Sequence, residues 1–179
     1  MPKKDDILTI EIGLITSIGN NAFADFSKIS EILIPSSVKT IENNAFNGCS
    51  GITKITIENG ITTMNQNVFT GLIALKEVIY LGNNEPSSLC SKSAFDTSLI
   101  YIEVPITYED FIFCGKNPRT IGGSDNKCGD SCNWEYYHHN STVNIWGSNT
   151  MKSFEQTSMP WYDQITRITS VIIHGVENV

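Results

Sequence analysis

The sequence predicts a repeat solenoid, a β-rich α/β fold in which coils of about 23 residues stack their strands into a parallel sheet. Three observations lead to this prediction. Phenylalanine recurs at Phe23, Phe46 and Phe69, 23 residues apart each time. Segments 32–34, 55–57 and 78–80 alternate β-branched or aromatic residues with outward ones at the same spacing. A unit this short cannot bury its own apolar face, so it must stack on copies of itself.

Eight apolar columns share this spacing, and we predict that they form the core. They are Ile15, Val38 and Ile61; Ile18, Ile41 and Met64; Ala22, Ala45 and Val68; Phe23, Phe46 and Phe69; Phe26, Cys49 and Leu72; Ile29, Ile52 and Leu75; Ile32, Ile55 and Val78; Ile34, Ile57 and Tyr80. One more turn follows at Ala94 and Phe95, displaced by three residues because the loop 82–88 lengthens that coil.

Each coil is expected to have a strand on one wall and a tight turn on the opposite wall. The alternating segments predict strands that stack about 4.8 Å apart. Asn20–Asn21, Asn43–Asn44 and Gln66–Asn67 precede the Ala-Phe column, where polar turn formers favour a short helical or 3₁₀ turn. A unit of this length falls in the leucine-rich class of repeats.

One motif resembles a known family. Ile-Pro-x-x-Val-x-x-Ile-x-x-x-Ala-Phe-x-x-Cys, which runs from Ile34 to Cys49, resembles the BspA-like, treponemal-type leucine-rich repeat of microbial surface proteins. The resemblance implies a surface location and a role in adhesion. Ile102–Pro105 followed by Tyr108 resembles the last coil of such arrays, which predicts that the stack closes there.

A second module is predicted after the array. The run Gly122–Asn126 consists of turn formers and reads as a linker, so we divide the chain into a solenoid at 1–121 and a small β-rich cap-like module at 122–179. Alternation over 134–137 and 142–146 predicts a hairpin with residues 138–141 at its turn. The tryptophans are expected to form its core or cover the first coil; they are Trp134, Trp146 and Trp161.

The end of the sequence repeats the spacing of its beginning. Val171, Ile173, Val176 and Val179 follow Ile10, Ile12, Ile15 and Ile18 at a constant offset of 161, which indicates the start of a further array. A last strand with an unpaired edge recruits other strands. We therefore expect weak self-association through the C-terminal edge.

Composition and charge remove several classes of function. A formal net charge of -7 gives no basic field for nucleic acid or an anionic lipid surface. No apolar run approaches the roughly 20 residues that cross a bilayer, and residues 1–6 lead into an alternating segment rather than a signal peptide.

The reactive side chains form no convincing catalytic or metal pattern. Cys128 and Cys132 precede His138 and His139, but adjacent histidines on a strand point to opposite faces, which is unfavourable for zinc. The five cysteines are an odd number at irregular spacing; a disulfide between Cys128 and Cys132 is possible, and free thiols are favoured. We predict no catalytic residue, cofactor or metal.

Binding is the function that remains, and we expect it on the outward side chains of the predicted strands, here called the outer strand face. This face combines an apolar stripe with charged edges, as recognition surfaces do. Its predicted partner-binding residues are Glu31, Leu33, Lys54, Thr56, Glu77, Ile79, Tyr101 and Glu103. The resemblance implies a cell-surface or extracellular module that binds a host or matrix protein, or another cell. The alternative is an intracellular protein-interaction scaffold.

Overall fold

The structure is a computed structural model that describes residues 4–96, 98–99, 101–105, 107–121, 132–138, 141–147 and 167–174. A 3₁₀ helix at Lys4–Asp6 precedes the strands. The strands are β1 (Ser17–Ile18), β2 (Glu31–Ile34), β3 (Thr40–Ile41), β4 (Lys54–Ile57), β5 (Thr63–Met64), β6 (Glu77–Tyr80), β7 (Leu89–Cys90), β8 (Tyr101–Glu103), β9 (Asn117–Ile121), β10 (Cys132–Tyr137), β11 (Thr142–Gly147) and β12 (Ser170–His174).

One large sheet contains all the strands that the sequence predicts. Its order is β12-β11-β10-β9-β8-β6-β4-β2, and the strands from β2 to β9 pair in parallel. Ile32, Ile55 and Val78 face inward and are almost completely buried. The solenoid and its parallel sheet are therefore confirmed.

A second, smaller sheet was not predicted. It is formed by β1, β3, β5 and β7, which pair in parallel on another wall of the coil. Each strand has only two residues. In β1, β3 and β5 the first is polar and points outward, and the second is apolar and buried, such as Ile41. Two residues are too few to show an alternation in the sequence.

The side of the coil that carries Phe23, Phe46 and Phe69 is here called the Phe wall. It consists of turns rather than the short helical turns that we expected. Phe46 is fully buried, and its ring stacks between Phe23 at 5.2 Å and Phe69 at 5.4 Å between centroids. Asn21, Asn44 and Asn67 precede these rings with φ of 55°, 57° and 55°. Asparagine tolerates this left-handed conformation, which interrupts a helix.

Backbone hydrogen bonds also join the coils along the Phe wall. The Phe23 N–H donates to the Ala45 carbonyl at 2.8 Å, and the Phe46 N–H to the Val68 carbonyl at 3.0 Å. Gly48 has φ of 73°, and a Cβ atom there would lie 2.3 Å from Asp25 Oδ1. Glycine is favoured at Gly48 by this left-handed conformation.

The core is built from the predicted columns, with exceptions in the first coil. Val38 and Ile61 are buried, but Ile15 in the same column is 42% exposed. Ala22 is also exposed, whereas Ala45 and Val68 are buried. A column residue is buried by the coil on either side of it, and the first coil has a described neighbour on one side only.

The longer fourth coil is confirmed, and it contains an unpredicted disulfide. Phe69 bridges to Phe95, so the loop 82–88 displaces this column by three residues. Cys90 and Cys114 form a disulfide with their Cα atoms 4.7 Å apart. Our preference for free thiols was therefore wrong for this pair. Among the described residues the buried Cys49 is free.

The stack does not close at Pro105, contrary to our expectation. After β8 the chain makes a shorter turn, and β9 adds to the sheet in parallel with Tyr101 opposite Asn117. Residues opposite each other on β8 and β9 are 16 positions apart in the sequence, instead of 23. The Thr120 Oγ1 hydroxyl donates to the Val104 carbonyl across the same separation. Because this spacing departs from 23 residues, the repeat did not predict β9.

The predicted hairpin is confirmed, but it extends the large sheet. β10 and β11 are antiparallel, with Tyr137 opposite Thr142, and β10 also pairs with β9. Trp134 is 1% exposed as expected, whereas Trp146 is 36% exposed and does not form core. Trp161 and the linker 122–126 lie outside the described residues. The division at 121/122 stays a prediction.

Candidate functional site

The structure places the predicted binding residues in two rows that cross the outer strand face. Glu31 is opposite Lys54, which is opposite Glu77. In the second row Leu33 is opposite Thr56, Thr56 opposite Ile79, and Ile79 opposite Glu103. Tyr101 precedes Glu103 by two residues and so points to the same side. All eight residues therefore share one surface.

The second row begins as an apolar stripe. Leu33 is 51% exposed, and Thr56 and Ile79 are half-buried beside it. Inward neighbours on the same strands, such as Ile32 and Ile55, are almost fully buried. Alternation in a strand thus leaves Leu33 and Ile79 on the surface, where a partner can cover them.

The first row carries alternating charge. Lys54 Nζ lies 2.8 Å from Glu77 Oε2, and this hydrogen bond raises the pKa of Lys54. An ion pair this exposed contributes little to stability. Its main effect is to set the position of two opposite charges at the edge of the apolar stripe.

A charged and aromatic cluster that the sequence did not reveal continues the second row. Arg119 on β9 is opposite Glu103 and Tyr137. Its guanidinium nitrogens lie 3.5 Å from carboxylate oxygens of Glu103 and of Glu135, and it sits 5.1 Å from the centre of the Tyr101 ring. The strand face therefore extends beyond β8.

Tyrosines complete this cluster, and burial changes its titration. The rings of Tyr101 and Tyr137 are 5.3 Å apart, and the Tyr137 hydroxyl donates to Glu135. Burial, followed by the bond to Glu135, raises the pKa of Tyr137 to about 12. The pKa of Glu103 is raised above its ordinary value, mainly by burial and to a smaller extent by repulsion from Glu77. Asn117 and Arg119 are polar residues two positions apart, as expected for the outward side of a strand. This was the available signal for β9, but these residues lie outside the 23-residue period.

Of the residues weighed for zinc or catalysis, the structure describes the side chain of His138. His138 is 2% exposed, and its Nε2 lies 3.1 Å from Thr120 Oγ1. The side chains of Cys128 and Cys132, and residue His139, lie outside the described residues. Ligand atoms of Glu85, Cys90 and Cys114 lie within 4.8 Å of one another, but the two sulfurs are bonded to each other.

Comparison with known proteins identifies a family for the solenoid. No curated protein and no solved structure matches the chain. In the part of the chain that the structure describes, no helix has the length and apolarity needed to cross a membrane. A family model described as a BspA type leucine rich repeat region matches residues 4–117 in six copies, over more than half of the chain. The chain therefore belongs to the BspA-type leucine-rich repeat family, whose repeats are typically surface-associated protein-interaction and adhesion modules.

Proposed function

We propose that this protein is a non-enzymatic adhesion module of the cell surface, and that it binds a protein ligand along the outer strand face. Its family supports binding in general. The observation that carries the proposal is the continuous second row, which leads from exposed Leu33 through Ile79 to Arg119 across five parallel strands.

The composition of this row is that of a recognition surface. Protein interfaces combine a desolvated apolar centre with a polar rim, and tyrosine and arginine are enriched among the residues that contribute most to binding. The row offers Leu33 and Ile79 as apolar contacts. Tyr101, Arg119 and Tyr137 lie in mutual contact at its other end.

The disulfide supports an exported protein rather than the intracellular scaffold. Disulfides persist in oxidising compartments and are rare where thiols are kept reduced. Cys90 and Cys114 join two consecutive coils, so reduction in a cytoplasm would remove a crosslink from the core of the array. Unpaired thiols were one of the two grounds for the scaffold alternative, the other being that no signal peptide or anchor is visible in the sequence.

Binding is tested with a paired substitution on the strand face. Leu33→Asp with Ile79→Asp should weaken adsorption to an immobilised extract of extracellular-matrix proteins by at least about tenfold, since two apolar contacts are replaced by charges. The control is Leu14→Asp with Leu89→Asp, because these residues are 98% and 48% exposed and Leu89 lies in the small sheet on another wall of the coil. Equal loss in both variants, or unchanged binding in the first, overturns the proposed face.

Location is tested separately by staining a tagged copy in the source cell. The proposal expects an antibody to reach the protein on intact cells. Staining that appears only after permeabilisation would move the function to an intracellular scaffold while leaving the fold unchanged.

A further inference from the structure

We propose that β12 of one copy of this chain pairs with β2 of a second copy, so that copies join head to tail and continue the large sheet. The proposal goes beyond ligand binding and does not depend on it. Its two components are the two end strands of the sheet.

The donor is β12, where Val171 is exposed at an inward position of the sheet. Val171 pairs with the buried Val143, and in the same register Ile173 pairs with Ile145. Val143 and Ile145 are buried at 0% and 1%, whereas Val171 is 49% exposed. No described residue pairs with the far edge of β12. A further strand that paired with this edge would bury the Val171 side chain, as each coil of the array does for the one before it.

The acceptor is the opposite edge of the sheet, at β2. Residues 7–12 lie beside β2 but form no strand. A groove of about 420 Å³ separates this segment from the strand, and its lining includes Leu8, Ile10, Ile32 and Leu33. Within the described residues β2 therefore has backbone groups and apolar side chains available for one more strand.

The sequence of β12 matches the segment that it would replace. Val171 and Ile173 have the spacing of Ile10 and Ile12, and the latter pair packs partly buried against the core. Val171 would then lie opposite Ile32, and Ile173 opposite Ile34. This register brings the exposed Val171 side chain beside the buried Ile32.

Strand direction agrees with this pairing. β12 is parallel to β11, and β11 is related to β9 through two antiparallel pairings with β10. β12 consequently runs in the same direction as β9 and β2. A second copy can add to it by the parallel pairing already used between every two coils of the array.

Charge makes this association weak and salt-dependent. Each copy has a formal net charge of -7, so two copies repel at long range, and salt screens this repulsion. The strand that docks, Ser170–His174, contains no carboxylate. We therefore expect association to strengthen as salt is added, in contrast to an interface held by ion pairs.

Sedimentation velocity of the full chain over a wide concentration range tests the proposal. Association should be reversible and stronger in high salt. In the parallel ladder the Ser170 N–H faces β11, so the Val171 N–H faces the open edge; Val171→Pro removes this donor at an edge that tolerates proline and should abolish association. Val171→Thr is the control, since it keeps the N–H and the branched shape.

Ile10→Ser distinguishes the acceptor from other contacts. It loosens the segment beside β2 and should strengthen association, and Val171→Pro should abolish the gain. A chain that stays monomeric throughout, or a Val171→Pro variant that associates like the parent, overturns the proposal. If the Ile10→Ser variant associates as strongly as the parent, β2 is not the acceptor. This comparison tests the acceptor even if the proline variant does not fold. Val171 and Ile10 lie outside the predicted ligand rows, so ligand binding is scored independently.

Discussion

The array of coils and the C-terminal hairpin solve the same burial problem in different ways. In the array, Phe23, Phe46 and Phe69 stack on one another because each coil repeats the one before it. In the hairpin, Trp134 and Val143 are buried although neither belongs to a repeated column. The comparison teaches that a repeat encodes its contacts in its period, whereas a cap depends on tertiary neighbours.

Contacts of His138 nevertheless join the two regions. The His138 ring lies 5.6 Å from that of Tyr108 in the last turn of the array, and 4.6 Å from that of Tyr136 in the hairpin. Thr120 Oγ1, which contacts His138, donates to the Val104 carbonyl at 3.1 Å. We therefore expect the array and the hairpin to unfold together.

The largest expected effect is in the array. Phe46→Ala should lower the free energy of unfolding by about 3 to 5 kcal/mol, because it leaves a cavity between two stacked rings in a fully buried position. Urea denaturation followed by circular dichroism measures it. Phe111→Ala is the control, since Phe111 is 58% exposed. A loss no larger than that of the control contradicts the stacked column.

The corresponding change in the hairpin tests whether the regions are coupled. Trp134→Ala should cost about 3 kcal/mol, because a buried indole is removed, and should shift one cooperative transition. Calorimetry measures both quantities, with the more exposed Trp146→Ala as control. Two separate transitions would show that the hairpin and the array are independent units.

Removal of the disulfide sharpens the comparison, because the crosslink lies within the array. The double variant Cys90→Ala and Cys114→Ala should lose about 2 to 4 kcal/mol, since the bond closes a loop with a sequence separation of 24. Reductant should destabilise the parent protein by a similar amount and leave the variant unchanged. A reductant effect on both proteins would point to another cysteine.

The smallest effect concerns pH at the boundary between the regions. Burial and Glu77 raise the pKa of Glu103 in the folded state above its ordinary value of 4.5, so folding takes up a proton. The contribution of Glu103 to stability is therefore least favourable at neutral pH and improves as pH falls through the raised pKa. Thermal melts of Glu103→Gln should lack this part of the pH dependence, while Glu11→Gln keeps it.

The sequence predicted the elements whose residues recur at a fixed spacing. Inward Ile32 and Ile55, the outward Leu33 and Ile79, and the displaced Phe95 all follow from the period and from strand alternation. The hairpin was predicted by alternation alone, as Trp134 and Val143 show. Arg119 and Tyr137 were missed because β9 begins after a turn of different length, and the period no longer indicates which residues are neighbours.

The sequence by itself determined the solenoid, its parallel sheet and the side of each strand that faces outward, because these depend on local alternation and on contacts at one repeated distance. Only the tertiary structure decided the pairing of Cys90 with Cys114, the left-handed turns on the Phe wall and the antiparallel extension of the sheet by β10. The disulfide and the extension join residues across coils of unequal length. On the Phe wall, Asn21, Asn44 and Asn67 are compatible both with a short helical turn and with the left-handed conformation observed, so the sequence does not distinguish the two.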